Sequence, residues 1–338
     1  ARRAVGRLEL YAYSNHHECD PTTLRIKDSC HCWHDVYGMS DKLLAQLIND
    51  EKIDILIDLS GHTGDNRLPM FAWKPAPVQI SWLGYFATTG VAAIDYLIAD
   101  PWTLPENEEV SFSEHIWRLP ETRLCFTPPN VLLDLALPPV MTNHHITFGC
   151  FNNLTKMNDE VVALWAQILT AIPDSRLFLK ARALGEVTVR QSVINRFAEY
   201  GIAPQRLTLE TYVPRANYLS AYNQIDIALD PFPYTGGTTT VESLWMGVPV
   251  LTLTGKRFLA RQGVGLLMNA GLPEWVASSP ADYVDRAVQH ASKPEHLATL
   301  RAGLRQQVLA SPIFDAERFV RHFEATLRAM WEQWCRQR

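Results

Sequence analysis

The sequence predicts an α/β protein with mostly parallel strands, divided into two domains. Short apolar runs alternate with amphipathic segments of helical spacing, which is typical of strand–helix–strand units. The chain has 338 residues, 47% of them hydrophobic, and at roughly 150 residues per domain this length favours two cores. Residues 127–140 contain two Pro-Pro pairs that interrupt regular structure, and we place the joint there.

The apolar runs predict the strands, and helical spacing of apolar residues predicts the helices. The predicted strands are Glu9–Tyr13, Ile53–Leu59, Val78–Trp82, Tyr96–Ala99, Thr147–Cys150, Arg176–Lys180, Leu207–Glu210, Ile225–Leu229 and Val248–Leu253. The clearest helices are Asp41–Asp50, Asp159–Ile172, Val241–Met246 and Asp315–Trp334. Pro173 stops the second of these, and after Trp275 we expect an almost wholly helical chain.

The composition excludes several classes of function. The 31 Lys and Arg against 36 Asp and Glu give a net charge of −5, which favours neither nucleic acid nor an anionic membrane as partner. The sequence has no apolar run long enough for a membrane span, and its start lacks the features of a signal peptide. The six cysteines are irregularly spaced, as in reduced proteins, so we expect a cytoplasmic protein.

The most informative segment runs from Ile225 to Leu253. After the predicted strand, Gly236 and Gly237 precede a helix that opens with Thr238 and Thr239. A helix N-terminus with nearby glycines and hydroxyls favours a bound phosphate, and Glu242, one turn later, suits ribose hydroxyls. The alternative is a tight turn in which Thr238 only caps the helix.

A second loop, Phe148 to Glu160, follows another apolar strand. It carries Asn152, Asn153 and Lys156 before the next helix. In doubly wound sheets, ligands lie outside the carboxyl ends of the strands, where this lysine could neutralise a phosphate. Most lysines, however, are solvated surface groups.

The loop after Arg206–Glu210 adds an aromatic residue. Arg215 and Tyr218 lie in a short helix, and a tyrosine there could stack on a nucleotide base. The alternative, which composition favours, is a tyrosine half-buried in a helix face.

In the first half, two loops follow predicted strands. One contains Gly61 and His62, and the other contains Thr88 and Thr89. If the strands are parallel, both loops face the cleft between the domains. His62 is a candidate general base because its ordinary pKa is close to neutrality, although a loop histidine can equally bond the backbone.

Metal and cofactor motifs are weak or missing in the sequence. Residues 16–19 and 30–34 contain Cys, His and Glu, but their spacing matches no standard closed zinc site, so we expect no metal there. There is also no Asp-x-Asp pair for a divalent ion on a sugar nucleotide. The absence of Gly-x-Gly-x-x-Gly and of a Walker motif argues against dehydrogenases and NTPases.

Taken together, these segments resemble the catalytic region of the protein O-linked N-acetylglucosamine transferase and SPINDLY family. The resemblance extends from about Glu9 to Trp334. In order along the chain, it depends on residues 55–64, RLPMFAWKPAPVQISWLGY, TTG, IDYLIAD, FNNLTK, YVPRANY, LDPFPYTGGTTTVESLWMGVPVLTL and SPIFDAERF.

The resemblance implies a GT-B architecture, in which two Rossmann-like lobes with mostly parallel sheets face a cleft. The implied lobes are residues 1–137 on the acceptor side, without a first β–α unit, and residues 138–312 for the nucleotide-sugar. Residues 313–338 are then a helix that packs back on the first lobe. The implied reaction is inverting and metal-independent transfer of N-acetylglucosamine from UDP-GlcNAc to Ser and Thr hydroxyls of proteins, with no cofactor.

The resemblance also implies individual roles. Lys156 corresponds to the lysine that contacts the donor diphosphate, Asn153 stands where a Gln reaches the same phosphates, and Gly236 belongs to the same glycine-threonine segment. Thr238 and Thr239 match the paired threonines under the diphosphate. Glu242 occupies the position that binds the ribose, and Arg215 matches the basic residue beside the nucleoside.

Two positions differ from the animal enzymes. Tyr218 replaces a base-stacking His, and Gly237 replaces the His of a His-Thr-Thr motif. SPINDLY relatives share the Gly-Thr-Thr segment and use GDP-fucose, so protein O-fucosylation is the first alternative and an inactive binding module the second. The family also implies an N-terminal array of TPR repeats as a neighbour, with Gly61, Thr88 and Thr89 of this chain on the acceptor or sugar side and His62 as the base.

Overall fold

A computed structural model describes residues 8–337, which form two compact units. The first unit contains the described residues up to Pro101, Pro105–Leu124 and the chain from Ala316 onward. The second contains Trp102–Leu104 and Cys125–Asp315. The described chain has twelve strands and twelve α-helices, joined by turns and short 3-10 helices.

The strands are short and mostly buried. They are β1 Tyr11–Ser14, β2 Cys32–Asp35, β3 Ile55–Asp58, β4 Val78–Ser81, β5 Tyr96–Ala99, β6 His115–Arg118, β7 Thr147–Cys150, β8 Arg176–Lys180, β9 Leu207–Glu210, β10 Ile227–Leu229, β11 Val250–Leu253 and β12 Val276–Ala277. The helices are α1 Pro21–Lys27, α2 Asp41–Asp50, α3 Leu68–Phe71, α4 Val140–Asn143, α5 Asp159–Ala171, α6 Val187–Ala198, α7 Arg215–Ser220, α8 Thr238–Trp245, α9 Gln262–Asn269, α10 Pro280–Ala291, α11 Pro294–Leu309 and α12 Ala316–Arg336.

The first unit is built on a parallel sheet of order β3-β4-β5-β6, with a separate parallel pair, β1-β2. Its central strands are buried along their whole length, as parallel strands covered on both faces are. The last helix, α12, belongs to this unit although it comes from the far end of the chain. Its Phe319 and Phe323 pack on Trp82, with ring centroids 5.9 and 4.5 Å away.

The second unit is a six-stranded parallel sheet of order β12-β11-β10-β7-β8-β9. Numbered within the unit, this is the 3-2-1-4-5-6 order of a doubly wound Rossmann sheet. The chain reverses its direction of winding between β7 and β10, which are neighbours. Such a switch point leaves a crevice at the carboxyl ends of the two strands, where ligands bind in this class of fold.

One boundary between the units falls at Leu124–Cys125, just before the joint that the sequence predicts in residues 127–140 and before the lobe boundary at residues 137–138 that the resemblance implies. Arg123 belongs to the first unit because its amide bonds Asp100 and its carbonyl accepts the Trp82 indole N–H at 2.9 Å. The Pro-Pro segment belongs to the second unit. Arg305 donates to the carbonyl of Leu133 at 2.8 Å, and the amide of Ala136 donates to the Asn223 side chain at 3.1 Å.

The structure adds strands that the sequence did not predict, namely β2, β6 and the two-residue β12. The first two consist of the sequences CWHD and HIWR, in which polar residues interrupt the apolar run that would indicate a strand. No helix among residues 8–337 is both long and apolar enough to cross a membrane.

Candidate functional site

The crevice at the switch point of the second unit brings the two predicted loops together. The loop after β7 carries Lys156, and the loop after β10 leads through Gly236 into α8. Between them lies a pocket at the carboxyl ends of the two strands. Its lining includes Gly149, Asn152, Tyr222, Asp230, Thr239 and Thr240.

Lys156 is anchored in this crevice by two hydrogen bonds. Its Nζ donates to the carbonyl of Thr235 at 2.9 Å and to Oδ1 of Asn152 at 3.2 Å, and it lies 4.1 Å from the centre of the Tyr234 ring. Burial lowers the pKa of this ammonium group, and the negative charge of Asp230 opposes that shift. The lysine is therefore a half-buried cation held in place, unlike a solvated surface lysine.

Asp230, which sequence reasoning did not single out, organises the glycine loop. Its side chain is 1% exposed and accepts the amide of Gly236 at 2.6 Å and the hydroxyl of Thr252 at 2.8 Å. Burial raises the pKa of this carboxyl to about 6, against the lowering effect of the two hydrogen bonds and of Lys156. A carboxylate that ends an apolar strand just before a Pro/Gly turn was the signal available in the sequence.

The N-terminus of α8 is open. Its N-cap is Gly237 and makes no side-chain capping bond, so Thr238 does not cap the helix. The amide of Val241 donates to the carbonyl of Gly237 at 3.1 Å, and in the described part of the chain the amides of Thr238 and Thr239 have no backbone or side-chain acceptor. Uncapped amides at a helix start are donors for an anion.

The two glycines give this loop its close packing. A Cβ on Gly236 would lie 2.6 Å from the Thr240 hydroxyl, and one on Gly237 would lie 2.2 Å from Nε2 of Gln262. That nitrogen donates to the carbonyl of Gly236 at 3.2 Å. The loop therefore has no room for a larger residue at position 237 while Gln262 keeps this bond.

Asn152, and not the predicted Asn153, faces the crevice. Oδ1 of Asn152 accepts both the Lys156 ammonium and the Thr239 hydroxyl, the latter at 3.0 Å, and so joins the β7 loop to the start of α8. Asn153 is exposed and accepts the amide of Thr155 at 3.1 Å, which caps the short 3-10 helix. Adjacent asparagines cannot be told apart from the sequence because the local turn decides which one points inward.

The remaining residues that were predicted for the donor side form a group beside the pocket. Glu242 is 5% exposed and hydrogen-bonds Arg215, while burial raises the pKa of its carboxyl. Tyr218 is half-buried between Phe151 and Tyr222 and shares a 3.4 Å hydroxyl contact with Tyr222. Tyr222 in turn donates to the carbonyl of Thr239 at 3.1 Å, which links this group to the start of α8.

The predicted acceptor-side residues lie in two loops of the first unit. Nε2 of the exposed His62 lies 2.9 Å from the carbonyl of Thr88, so this histidine does bond the backbone. Thr88 and Thr89 both direct their hydroxyls to Glu114. Gly61 has a φ of +53° and donates its amide to Asp58 at 2.9 Å. These contacts fix the loops that carry the predicted residues.

In comparison with known proteins, the chain matches the model of a glycosyl transferase family and is similar to relatives that share one enzyme name. The family model described as Glycosyl transferase family 41 matches residues 3–127 and 127–323. A Petunia hybrida protein named a probable UDP-N-acetylglucosamine–peptide N-acetylglucosaminyltransferase SPINDLY is 40% identical over 96% of this chain and 35% of its own length. The Arabidopsis thaliana protein SEC, of the same enzyme name, is 32% identical over 92% of this chain and 32% of its own length. The chain thus spans about a third of the length of these relatives.

Solved structures confirm the predicted α/β, GT-B fold class. A mutant O-GlcNAc transferase of Thermobaculum terrenum superposes with a TM-score of 0.92 at 38% identity, covering 97% of this chain and 62% of that one. An Anabaena protein in complex with UDP and glucose superposes with a TM-score of 0.60 at 11% identity, covering 95% of this chain and 99% of that one, which shows the fold alone.

Proposed function

The chain belongs to glycosyl transferase family 41, and from this premise we propose that it transfers N-acetylglucosamine from UDP-GlcNAc to Ser and Thr hydroxyls of proteins. The names of the relatives describe this reaction for those proteins. The observation that carries the proposal is the position of Lys156 between the two loops at the switch point, beside the open N-terminus of α8.

The transfer proceeds by a single displacement with inversion. The acceptor oxygen attacks the anomeric carbon, the bond from that carbon to the diphosphate breaks on the opposite face, and the acceptor proton passes to a base. Negative charge then grows on the departing diphosphate. Lys156 and the amides of Thr238 and Thr239 supply positive potential for it, which makes a metal ion unnecessary for this step.

The nucleoside lies against α7 and the first turns of α8. Glu242 accepts hydrogen bonds from the ribose hydroxyls, and Arg215, its present partner, contacts the nucleoside. Tyr218 provides an aromatic surface for the base, held in place by Tyr222 and Phe151. Asn152 replaces Asn153 in our assignment of the phosphate contacts because only its side chain bonds Lys156 and Thr239.

His62 is the base in this proposal. When its Nε2 donates to the carbonyl of Thr88, Nδ1 carries the lone pair and can accept the proton of the acceptor hydroxyl. Gly61 holds the loop that carries this histidine through its bond to Asp58. Thr88 and Thr89 hold the neighbouring loop through their bonds to Glu114.

A second candidate is protein O-fucosylation from GDP-fucose. The observation that favours it is Gly237: the family resemblance implies that SPINDLY relatives with GDP-fucose as donor share a glycine before the paired threonines, where the animal enzymes carry a histidine. In this chain a Cβ at position 237 would lie 2.2 Å from Nε2 of Gln262. The SPINDLY relative is also more similar to this chain than SEC is, at 40% against 32% identity.

Calorimetric titration with UDP and with GDP, followed by transfer assays with UDP-GlcNAc and GDP-fucose on Ser/Thr peptides, tests the proposal. We expect UDP binding and GlcNAc transfer. GDP binding without UDP binding, together with fucose transfer, would establish the second candidate. Nucleotide binding without transfer from either donor would indicate an inactive binding module.

We also propose the partners of this catalytic region. The acceptors are proteins, and TPR repeats of the longer protein present them to this catalytic region in the cytoplasm. The share of the relatives that the chain covers, about a third, is consistent with such an additional region.

A further inference from the structure

A second cluster of reactive side chains lies in the first unit and shares no residue with the donor pocket. Cys32 and His34 lie two residues apart on β2, so they point to the same face of the strand. Glu51 follows the last turn of α2 and reaches the same point. Among residues 8–337, one thiol, one imidazole and one carboxylate meet here with their ligand atoms all within 4.8 Å of one another.

The contacts within this cluster converge on a single atom. Nε2 of His34 lies 3.2 Å from Sγ of Cys32 and 2.6 Å from Oε1 of Glu51. An imidazole nitrogen carries either one hydrogen or one lone pair, so it forms one good hydrogen bond, and the carboxylate already takes it. A cation between the three atoms would satisfy all of them at once.

We infer that Cys32, His34 and Glu51 form a binding site for a divalent zinc-type cation. Thiolate, neutral imidazole and carboxylate are the ligand types that Zn²⁺ takes, and their total charge of −2 balances the ion. The site is separate from the transfer reaction, which uses no metal in our proposal. All three residues are only partly buried, which leaves the ion a path of entry and a fourth position for water.

The required movement of the ligands is small. Tetrahedral zinc with ordinary bond lengths separates sulfur from nitrogen by about 3.6 Å and nitrogen from oxygen by about 3.4 Å. The distances from Nε2 of His34 to Sγ of Cys32 and to Oε1 of Glu51 must therefore lengthen by less than about 1 Å. Glu51 lies at a helix end and is 20% exposed, so a change of its rotamer provides most of this expansion.

Tyr13, on the neighbouring strand β1, contacts two of the three proposed ligands, Glu51 and His34. Its hydroxyl donates to Oε2 of Glu51 at 2.5 Å, and its ring stacks on His34 with centroids 5.4 Å apart and planes 10° from parallel. Outer contacts of this kind orient the ligands of metal sites. The spacing of the Cys, His and Glu residues within 16–19 and 30–34 predicted no metal here, because it matches no standard closed zinc site. Glu51 lies outside those two runs, and the fold brings it to Cys32 and His34.

Titration of the full 338-residue chain with Co²⁺ under reducing conditions, with Zn²⁺ as competitor, tests this site. We expect one Co²⁺ per chain with a thiolate-to-cobalt charge-transfer band, which one equivalent of Zn²⁺ abolishes. Cys32→Ser removes the band. Cys30→Ser, which changes a neighbouring thiol that donates to the carbonyl of Ile26 at 3.3 Å, keeps it. His34→Ala and Glu51→Gln weaken Zn²⁺ binding at least about tenfold.

Three results would overturn the inference: no stoichiometric binding, a band that survives Cys32→Ser, or a band that disappears in Cys30→Ser alone. Circular dichroism checks that each variant is folded. If Cys32→Ser does not fold, the affinity of Glu51→Gln decides, because this partly exposed residue can change without opening the core; unchanged Zn²⁺ affinity there also rejects the site.

Discussion

Lys156 and Asp230 form a pair of opposite charges in the crevice whose roles differ. The lysine is half-buried and its ammonium group donates to Asn152 and Thr235, whereas the carboxylate of Asp230 is fully buried and accepts the amide of Gly236. The lysine can therefore act on a ligand directly. Asp230 acts through Gly236 and through its field on the lysine, so it is a positioning residue.

We predict that Lys156→Ala lowers kcat/KM for the proposed sugar transfer by about 10²- to 10³-fold, because the departing diphosphate loses the ammonium charge that the two loops hold in the crevice. The fold should be unchanged, since the lysine is only half-buried and its two hydrogen bonds lie within the loops after β7 and β10. Steady-state kinetics and circular dichroism measure the two effects. Lys256→Ala, at an exposed lysine of the same unit, is the matched control, and unchanged turnover of Lys156→Ala would remove this residue from the mechanism.

The raised pKa of the Asp230 carboxyl predicts that the free energy of unfolding depends on pH. Its pKa is about 6 in the folded protein against 3.8 for the free group, so folding favours the protonated form. The free energy of unfolding therefore falls as the pH rises from about 4 to about 6, by up to about 3 kcal/mol from this one group, and is level above that range.

Asp230→Asn should remove this dependence while its amide oxygen still accepts the Gly236 amide and its NH₂ donates to Thr252. Urea unfolding of both proteins at about pH 4 and about pH 7 gives the double difference, in which all other groups cancel. Parallel pH profiles for the two proteins would show that the Asp230 pKa is not raised.

At the scale of elements, the predicted acceptor-side residues lie on two loops whose backbones are in close contact. In the first unit, the loop after β3 carries His62 and the loop after β4 carries Gly84. A Cβ on Gly84 would lie 2.4 Å from the carbonyl carbon of Ser60 and 2.6 Å from the amide nitrogen of Gly61. Because backbone atoms cannot move aside as the end of a side chain can, these two loops pack this closely only with glycine.

We predict that Gly84→Ala destabilises the protein by about 1 to 3 kcal/mol, since the two loops must separate. Transfer should also fall, because the separation displaces His62. Gly64→Ala is the matched control: it lies in the same His62 loop, and its added Cβ meets nothing within 4 Å. Urea unfolding and kinetics of both variants test this, and equal stability of the two would reject the steric argument.

The elements also show what sequence patterns can predict. The nine predicted strands and the four predicted helices all occur, with ends shifted by a few residues, since uninterrupted apolar runs and helical spacing mark them. The strands β2 and β6 were missed because their polar residues face partners supplied by the fold. His34 is an example: it contacts Glu51, which lies on a different element.

At the scale of the whole molecule, strand order is what the sequence could not supply. The patterns placed Lys156 and the Gly-Thr loop after separate strands, and only the adjacency of β7 and β10 makes them one site. For the same reason, the sequence did not predict that Asn152 faces the crevice in place of Asn153, or that Asp230 holds the glycine loop. Hydrophobic periodicity specifies which residues are buried, but not which strands become neighbours.

Each unit has its own sheet and core, and this arrangement predicts where a core substitution acts. Phe319 of α12 is 8% exposed and packs on Trp82 of the first unit, although nearly 200 residues of the second unit separate them in sequence. Phe319→Ala should destabilise the first unit by about 3 to 5 kcal/mol through lost burial and a cavity. Hydrogen exchange followed by mass spectrometry should then speed up in β3–β6 and stay unchanged in β7–β12.

Phe197→Ala is the reciprocal variant, because Phe197 is fully buried in α6 of the second unit. Its exchange pattern should be the reverse, with faster exchange in β7–β12 and unchanged exchange in β3–β6. Added UDP should slow exchange around α8 in both variants if the donor site belongs to the second unit alone. Equal acceleration across both sheets in either variant would mean that the two units unfold as one cooperative body, contrary to the division into separate cores.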